Sequence, residues 1–289
     1  MWEGPLRPDL WARRNPIGAQ RPLSHCSPEL CRRVRRCLLR RLKRATDYLL
    51  IDISNSYTKL AFASRDKLGR TERIETARLN AAALAKVIRG HALQKIVVSS
   101  VVPKKDAFIK RAAGKTEVLF VSAKCELGVG VDYPGPGSIG ADRLANAAAV
   151  AALYGTPAVV VDFGTAVTFD VVSAERCYIG GVIAPGLEAM TTYLYNRTAL
   201  LPKLSLAEPR RAVGRSTKAA MMSGAIFGYR GLVKEILAKI GAEAFGKKRA
   251  QIVATGGYAK LIAARLPEID AVCPDLTLEG LRIIGNLNR

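Results

Sequence analysis

Three carboxylates, each set among glycine, hydroxyl or amide residues, are the groups in this chain best placed to do chemistry. Asp52 opens the run Asp52-Ile53-Ser54-Asn55-Ser56, which continues through Tyr57 and Thr58 to Lys59 and so gathers a carboxylate, an amide, hydroxyls and an ammonium in one short segment. Asp162 opens Asp162-Phe163-Gly164-Thr165-Ala166-Val167-Thr168, with glycine where a phosphate or metal would approach the backbone and hydroxyls beside it. Asp142 stands in Gly140-Ala141-Asp142-Arg143, at the end of a Pro/Gly segment that begins with Tyr133 and Pro134. Phosphoryl transfer asks for backbone amides and hydroxyls around phosphates, a carboxylate for the divalent metal and a base near the attacking hydroxyl. All three are present. Each also has a plainer reading: Asp, Asn and Ser favour ordinary hairpin turns, and an acid in the first turn of a helix stabilises it through the macrodipole.

The elements that must position these groups follow from apolar patterning. Tyr48 to Asp52, an apolar run closed by an acid and a turn, predicts a buried strand, followed by strands over Thr58 to Ala63 and Arg70 to Ala77. Asn80 to Arg89 predicts a helix, Lys95 to Ser100 a strand, and a helix begins near Ala141 and ends near Tyr154. The same opening recurs at an offset of 110 residues: Ala158 to Ser173 parallels Tyr48 to Ala63, with Val161 on Ile51, Asp162 on Asp52, Gly164 on Ser54 and Thr168 on Thr58. A strand over Cys177 to Ile183, a helix over Pro185 to Tyr195, a longer helix over Ser216 to Lys239, a strand over Gln251 to Ala254 and a helix over Thr277 to Asn286 complete the second half, with Ser216 and Thr277 as expected N-caps. The alternation implies an α/β protein of two related lobes, residues 47–157 and 158–289, facing each other across a cleft.

Whole-chain properties narrow the class. The 289 residues are 49% hydrophobic and 24% charged, a globular profile for the chain as a whole that leaves room for two cores. Residues 1–46 hold 12 Lys/Arg against 3 Asp/Glu and so carry +9 of the formal charge of +21. This Arg- and Pro-rich arm, with a basic amphipathic pattern over 31–45, reads as a disordered extension or a start assigned upstream of the fold; nucleic acid, a membrane and organellar targeting are the alternatives it leaves open. Cys26, Cys31, Cys37, Cys125, Cys177 and Cys273 form no CxxC pair, and with only His25 and His91 beside them they predict neither a zinc module nor a disulfide framework. The longest uncharged stretch, Leu144 to Val161, is broken by Gly155 and Pro157 and predicts a helix and a strand rather than a membrane span. No signal-peptide pattern follows Met1, so the expected location is the cytoplasm. There is no Walker A sequence, no protein-kinase signature set and no dinucleotide-binding fingerprint.

The ordered motifs resemble those of type III pantothenate kinases. DISNS at 52–56, GADR at 140–143 and DFGTAVT at 162–168 match that family's D-x-G-N-T/S, G-x-D-R and D-F-G-T-A-x-T patterns. GGVIAPG at 180–186, GRST at 214–217, ATGG at 254–257 and DLTLEGL at 275–281 continue the likeness, which spans residues 48 to 289. The resemblance implies an RNase H-like fold of the actin and acetate/sugar-kinase superfamily, a homodimer, and transfer of the γ-phosphoryl group of Mg·ATP to pantothenate at the start of coenzyme A biosynthesis. It implies that Asp52, Ile53, Ser54, Asn55, Ser56, Tyr57, Thr58 and Lys59 form the first ATP loop, with Asp52 near the nucleotide's magnesium, and that Thr165 touches ATP. It makes Asp142 the proton acceptor, places Tyr133, Gly140, Ala141, Asp142, Arg143 and Thr217 against pantothenate, and sets Asp162 at a monovalent cation, potassium or ammonium. One departure stands out: Ser54 occupies the place of the family's usual glycine, a residue that permits positive φ and close ligand approach. A weakened relative acting as a nucleic-acid-binding regulator, and a sugar or acyl kinase of the same superfamily, are the competing readings.

Overall fold

The computed structural model describes residues 47–289. The amphipathic pattern over 31–45 and the group His25, Cys26, Cys31 and Cys37 lie outside the described residues. Strands β1 (Tyr48–Ile53), β2 (Tyr57–Ala63), β3 (Leu68–Glu75), β4 (Lys95–Ser100) and β5 (Glu117–Phe120) form one sheet in the order β3-β2-β1-β4-β5. A second sheet joins β6 (Gly130–Val131), β7 (Ala158–Phe163), β8 (Ala166–Val172), β9 (Cys177–Pro185), β10 (Gln251–Thr255) and β11 (Ala271–Val272) in the order β11-β10-β7-β8-β9-β6. In the first sheet β2 runs antiparallel to β1 and β3, while β4 and β5 are parallel to β1. The second repeats this pattern with β7, β8, β9, β10 and β11 in the corresponding places, and β6 is added at the edge of β9.

The repeat seen in the sequence is therefore real at β1 and β7, but it slips at the turn. Asp52 faces Lys59 across β1 and β2, and Asp162 faces Thr168 across β7 and β8. The second turn is one residue shorter, since Ile53 pairs with Thr58 but Phe163 pairs with Val167. Val167, not Thr168, thus stands where Thr58 does, and the alignment of the two threonines is corrected.

Helices stack with the sheets in five layers. The outer face of the first sheet is covered by α1 (Ala81–Ile88) and α2 (Pro103–Ala113), packed on Leu49, Ile51, Ile96 and Val98. Between the sheets lie α3 (Ala141–Leu153) and α7 (Leu276–Leu287), which share one core with Leu50 and Val97 on one side and Val160 and Val253 on the other. Beyond the second sheet come α4 (Leu187–Arg197), α5 (Thr217–Ile240) and α6 (Ala259–Ala263). Because both faces of each sheet are covered, the central strands β1, β4 and β7 are near-continuous apolar runs rather than alternating ones. No helix among the described residues is long and apolar enough to cross a membrane; the uncharged stretch from Leu144 is a helix, a turn at Gly155 and a buried strand.

Local signals explain most boundaries. Asn80 caps α1 by accepting from Ala83 N at 2.9 Å, and Ser216 caps α5 by accepting from Ala219 N at 3.2 Å. Thr277 does not cap α7: the helix starts at Leu276, and the buried Thr277 hydroxyl instead donates to Asn146 Oδ1 on α3 at 2.9 Å. The helix expected from Pro185 starts at Leu187, because Pro185 still belongs to β9. Helix α2 escapes sequence reading because it is rich in Lys and Arg and buries only Ile109 and Ala113.

The central pair of helices meets through small residues. A Cβ on Gly280 would come 2.0 Å from the Ala145 carbonyl oxygen, so only glycine allows this approach. Gly280→Ala must push α7 from α3, and overpacking of this kind costs about 1–3 kcal/mol, or roughly 2–12 °C in melting temperature for a domain of this size. Gly228→Ala on α5, where an added methyl meets nothing within 4 Å, is expected to raise the melting temperature instead, by about 0.5–1 kcal/mol of helix propensity. Thermal melts of the two variants beside the parent check both signs.

Candidate active site

The two predicted loops meet. Ser56 Oγ and Thr165 Oγ1 are 3.1 Å apart, joining the turn after β1 to the turn after β7. The first loop is braced from below by Thr76, which follows β3: its hydroxyl donates to Ser54 O at 2.7 Å and lies 3.0 Å from Thr58 Oγ1, and its amide donates to Ser56 O at 3.1 Å. The second is braced by Gly186, whose amide donates to Thr165 O at 3.2 Å and whose missing Cβ would stand 2.2 Å from that oxygen.

Within the first loop the predicted residues divide by role. Asn55, Ser56 and Tyr57 are exposed, and Arg73 stacks over the Tyr57 ring at 3.5 Å. Ile53 is core and Thr58 is fully buried, its hydroxyl already paired to Thr76, so these two offer a ligand only their backbone. Lys59 reaches out of β2 to donate to Pro274 O at 2.8 Å, in the loop that leads into α7. Ser54 carries no backbone strain: Arg176 is the only non-glycine residue with positive φ among the described residues, so serine fits this turn as well as glycine would. Its amide donates to Tyr57 O at 3.2 Å and closes the hairpin.

Asp142 and Asp162 act on Asp52, and Asp142 acts on Asp162, so the three stand in one electrostatic cluster. Burial pushes Asp52 up to about 7, with further upward pressure from Asp142 and Asp162 and an opposing pull from Lys59 and Ser99. Its Oδ1 is buried and has no hydrogen-bond partner. Burial likewise raises Asp142, against the pull of the Arg143 amide and guanidinium, and raises Asp162, against the pull of Lys59 and Asn146. Asp142 Oδ1 accepts from Arg143 N at 2.9 Å in the first turn of α3, and Gly140 leaves room for that carboxylate, since a Cβ there would stand 2.5 Å from it. Asp162 Oδ2 lies 3.5 Å from Asn146 Nδ2, and its Oδ1 sits beside Gly256, where φ is +93° and a Cβ would intrude to 2.5 Å. The ATGG motif is thereby placed against the second acidic loop.

Consecutive residues on a helix point about 100° apart, so Asp142 and Arg143 serve different surroundings. Asp142 belongs with the other acids, while Arg143 Nε donates at 2.5 Å to Asp170 Oδ1, a fully buried carboxylate on β8. Burial lifts Asp170 to about 6 against the pull of Arg143, and the same pair holds Arg143 above its ordinary value despite its own desolvation. Arg143 also lies 5.6 Å from the Tyr178 ring, which Tyr133 meets edge-on at 6.2 Å. Thr217 sits exposed on the first turn of α5 and shares no hydrogen bond with this group among the described residues. Sequence reasoning missed Thr76, Asn146, Asp170 and Tyr178. Asn146 and Asp170 did carry a signal, each being a polar residue within an otherwise apolar helix or strand.

Two lobes of one repeated topology, with acidic turns that meet beside a buried helix pair, make a two-lobed α/β fold of the RNase H-like type. Two solved structures share the fold: a Campylobacter jejuni protein assigned to the Baf family of transcriptional activators, at 19% identity and a TM-score of 0.54 over 82% of this chain and 97% of that one, and a Sinorhizobium meliloti protein assigned as a 2-dehydro-3-deoxygalactonokinase, at 14% and 0.53 over 83% and 98%. The chain belongs to the type III pantothenate kinase family, whose profile matches residues 48–239. It is 52% identical over 243 residues to a type III pantothenate kinase from Akkermansia muciniphila, covering 83% of this chain and 99% of the relative.

The raised Asp52 has a consequence for stability. Its ordinary value is 3.8 and its folded value about 7, so between these limits the folded state holds a proton that the unfolded chain has lost. Stability therefore falls as pH rises through that window, and the cost is complete above it. Asp52→Asn removes the cost. The ligand-free variant is expected to melt several degrees above the parent near pH 8, with the gain shrinking toward pH 4; a gain of equal size at both ends would show that Asp52 is not the titrating group.

Proposed function

We infer that this chain phosphorylates the primary hydroxyl of pantothenate with ATP, giving 4′-phosphopantothenate and ADP, the first step of coenzyme A biosynthesis. The observation that carries this reading is the meeting of both acidic loops with the Asp142–Arg143 turn, in a chain of the type III pantothenate kinase family. We take the lobes as residues 47–157 and 158–289, with α7 returning to lie against the first sheet.

The donor set fits a nucleotide-borne magnesium ion. Among the described residues no three His, Cys, Asp or Glu side chains form a metal-binding group, and magnesium is commonly held by one or two carboxylates together with substrate phosphates. Asp52, with its unpartnered Oδ1, is the carboxylate suited to it. When bound, the metal neutralises charge on the β- and γ-phosphates. The first loop supplies exposed Asn55 and Ser56 to the phosphates, and Thr165 does so from the opposite lobe. Lys59 brings a positive charge that acts on both Asp52 and Asp162. Asp142 takes the proton from the substrate hydroxyl as its oxygen attacks the γ-phosphorus, and its raised affinity for protons suits it to that task. Arg143, held on Asp170, meets the carboxylate at the other end of the substrate. Asp162, whose Oδ1 faces the space that Gly256 leaves open, is the group we assign to potassium or ammonium.

We further assign a homodimer and a cytoplasmic site of action. In support of the dimer, Met190, Tyr193 and Leu194 on α4, Leu200 and Val213 in the segment that follows it, and Phe227 on α5 are large apolar side chains exposed in the single chain. Thr217 lies at the start of α5, on the helix that carries Phe227.

Release of ADP on addition of pantothenate, followed by a coupled assay, tests the activity; no pantothenate-dependent release would overturn it. Asp142→Asn is expected to lower kcat by about 10²–10⁴ while ATP affinity changes little, and the melting temperature should shift by no more than about 1 kcal/mol would cause. A near-normal kcat would remove Asp142 from the role of base. Replacing potassium by sodium at constant ionic strength is expected to depress turnover strongly, and equal rates in both salts would count against the assignment of Asp162.

A further inference from the structure

Asp170 is an aspartate on a central strand with no solvent exposure, a costly place for a carboxylate unless it is paired and put to use. Strand pairing sets it opposite Gly181 on β9. A Cβ at Gly181 would stand 1.8 Å from Phe169 O and 2.7 Å from Arg143 Nη2, so this glycine leaves the gap in which the guanidinium lies. Arg143 enters from α3 and gives its Nε to Asp170 Oδ1 at 2.5 Å, while Thr168 Oγ1 supports Asp170 Oδ2 at 3.4 Å. The Tyr178 ring flanks the guanidinium. With one edge of the fork taken by Asp170, Arg143 Nη2 is left buried and without a partner, and the hydroxyl of Tyr178, whose ring flanks the guanidinium, is also buried and unpartnered. Donors in this condition are rare in folded proteins and need an explanation. The Tyr133 ring stands edge-on to Tyr178 and packs against Gly180.

We propose that Asp170 is a positioning residue for substrate recognition, holding Arg143 by its Nε so that the rest of the guanidinium, together with the Tyr178 hydroxyl, receives the carboxylate of the pantothenate substrate. This rests on the reading that pantothenate is the acceptor. Asp170 touches no substrate atom itself. Its charge offsets the cost of burying Arg143 in the empty site, and its geometry selects one orientation of a side chain that otherwise has several. Specificity follows: an acceptor with the same primary alcohol but no anionic end leaves the prepared donors unpaired and is rejected.

The test is the kinetics of Asp170→Asn with pantothenate and with panthenol, in which a hydroxymethyl group replaces the carboxylate. For pantothenate, KM is expected to rise about 10–100-fold with kcat within about threefold and KM for ATP unchanged. For panthenol, KM should differ little between parent and variant, so the preference for the acid collapses. Tyr178→Phe should raise KM for pantothenate in the same direction by a smaller factor. An equal rise in KM for both acceptors, or a loss confined to kcat, would reduce Asp170 to a structural ion pair. Should Asp170→Asn not fold because a buried cation is left uncompensated, Arg143→Gln with and without Asp170→Asn decides instead. Equal KM values in those two proteins support action through Arg143, and a further loss on adding Asp170→Asn overturns it. Failure of the parent to turn over pantothenate at all would reject the acceptor assignment, which is a different outcome from each of these.

Discussion

The contact between α3 and α7 is the constraint on which the site depends. Gly280 lets the two helices approach to backbone distance, and at that distance Thr277 on α7 bonds Asn146 on α3, whose amide in turn faces Asp162. A packing contact in the middle layer is thus continued by two polar links to a carboxylate of the second loop. The same α3 begins with Asp142 and Arg143, so one helix, fixed by one close contact, orients both of these side chains and supports Asp162. Interiors are too densely packed to deform gradually, and a shift of α7 would be felt at all three.

The second organising fact is the cost of the acids. Asp52, Asp142, Asp162 and Asp170 are all raised, and burial is the largest cause in each case. Two cations offset part of that cost in different ways. Lys59 acts on Asp52 and Asp162 from β2 and ties itself to the loop before α7. Arg143 makes a direct pair with Asp170. Asp52 feels Lys59 and Asp142 feels Arg143, but neither forms a direct ion pair among the described residues, and these are the carboxylates proposed for metal-bound nucleotide and for proton transfer. A group fully neutralised by its neighbours would serve neither purpose.

Loop geometry shows how a departure from a family pattern can leave the backbone unstrained. Glycine in the first loop would matter if the backbone there were left-handed, but the hairpin closes through the Ser54 amide and Tyr57 carbonyl with ordinary φ. The glycines that are required stand elsewhere: Gly186 and Gly256, each against the second loop, and Gly181 under the Arg143 guanidinium.

By itself the sequence determined the two related halves, the strand-turn-strand units that carry Asp52 and Asp162, the helix that opens at Ala141, and the family, because each rests on local patterning and on residue types at short spacing. Hydrophobic runs ending in an acid and a turn are legible wherever they occur, and a pattern repeated 110 residues apart is legible as a repeat. What tertiary structure alone decided are relations across long separations. The one-residue slip at the second turn, the change of Thr277 from cap to interhelical donor, the bracing of the first loop by Thr76 and the pairing of Arg143 with Asp170 all depend on which backbone approaches which. Such approaches are set by strand register and by the space left where a side chain is missing, and neither is written in any short stretch of residues.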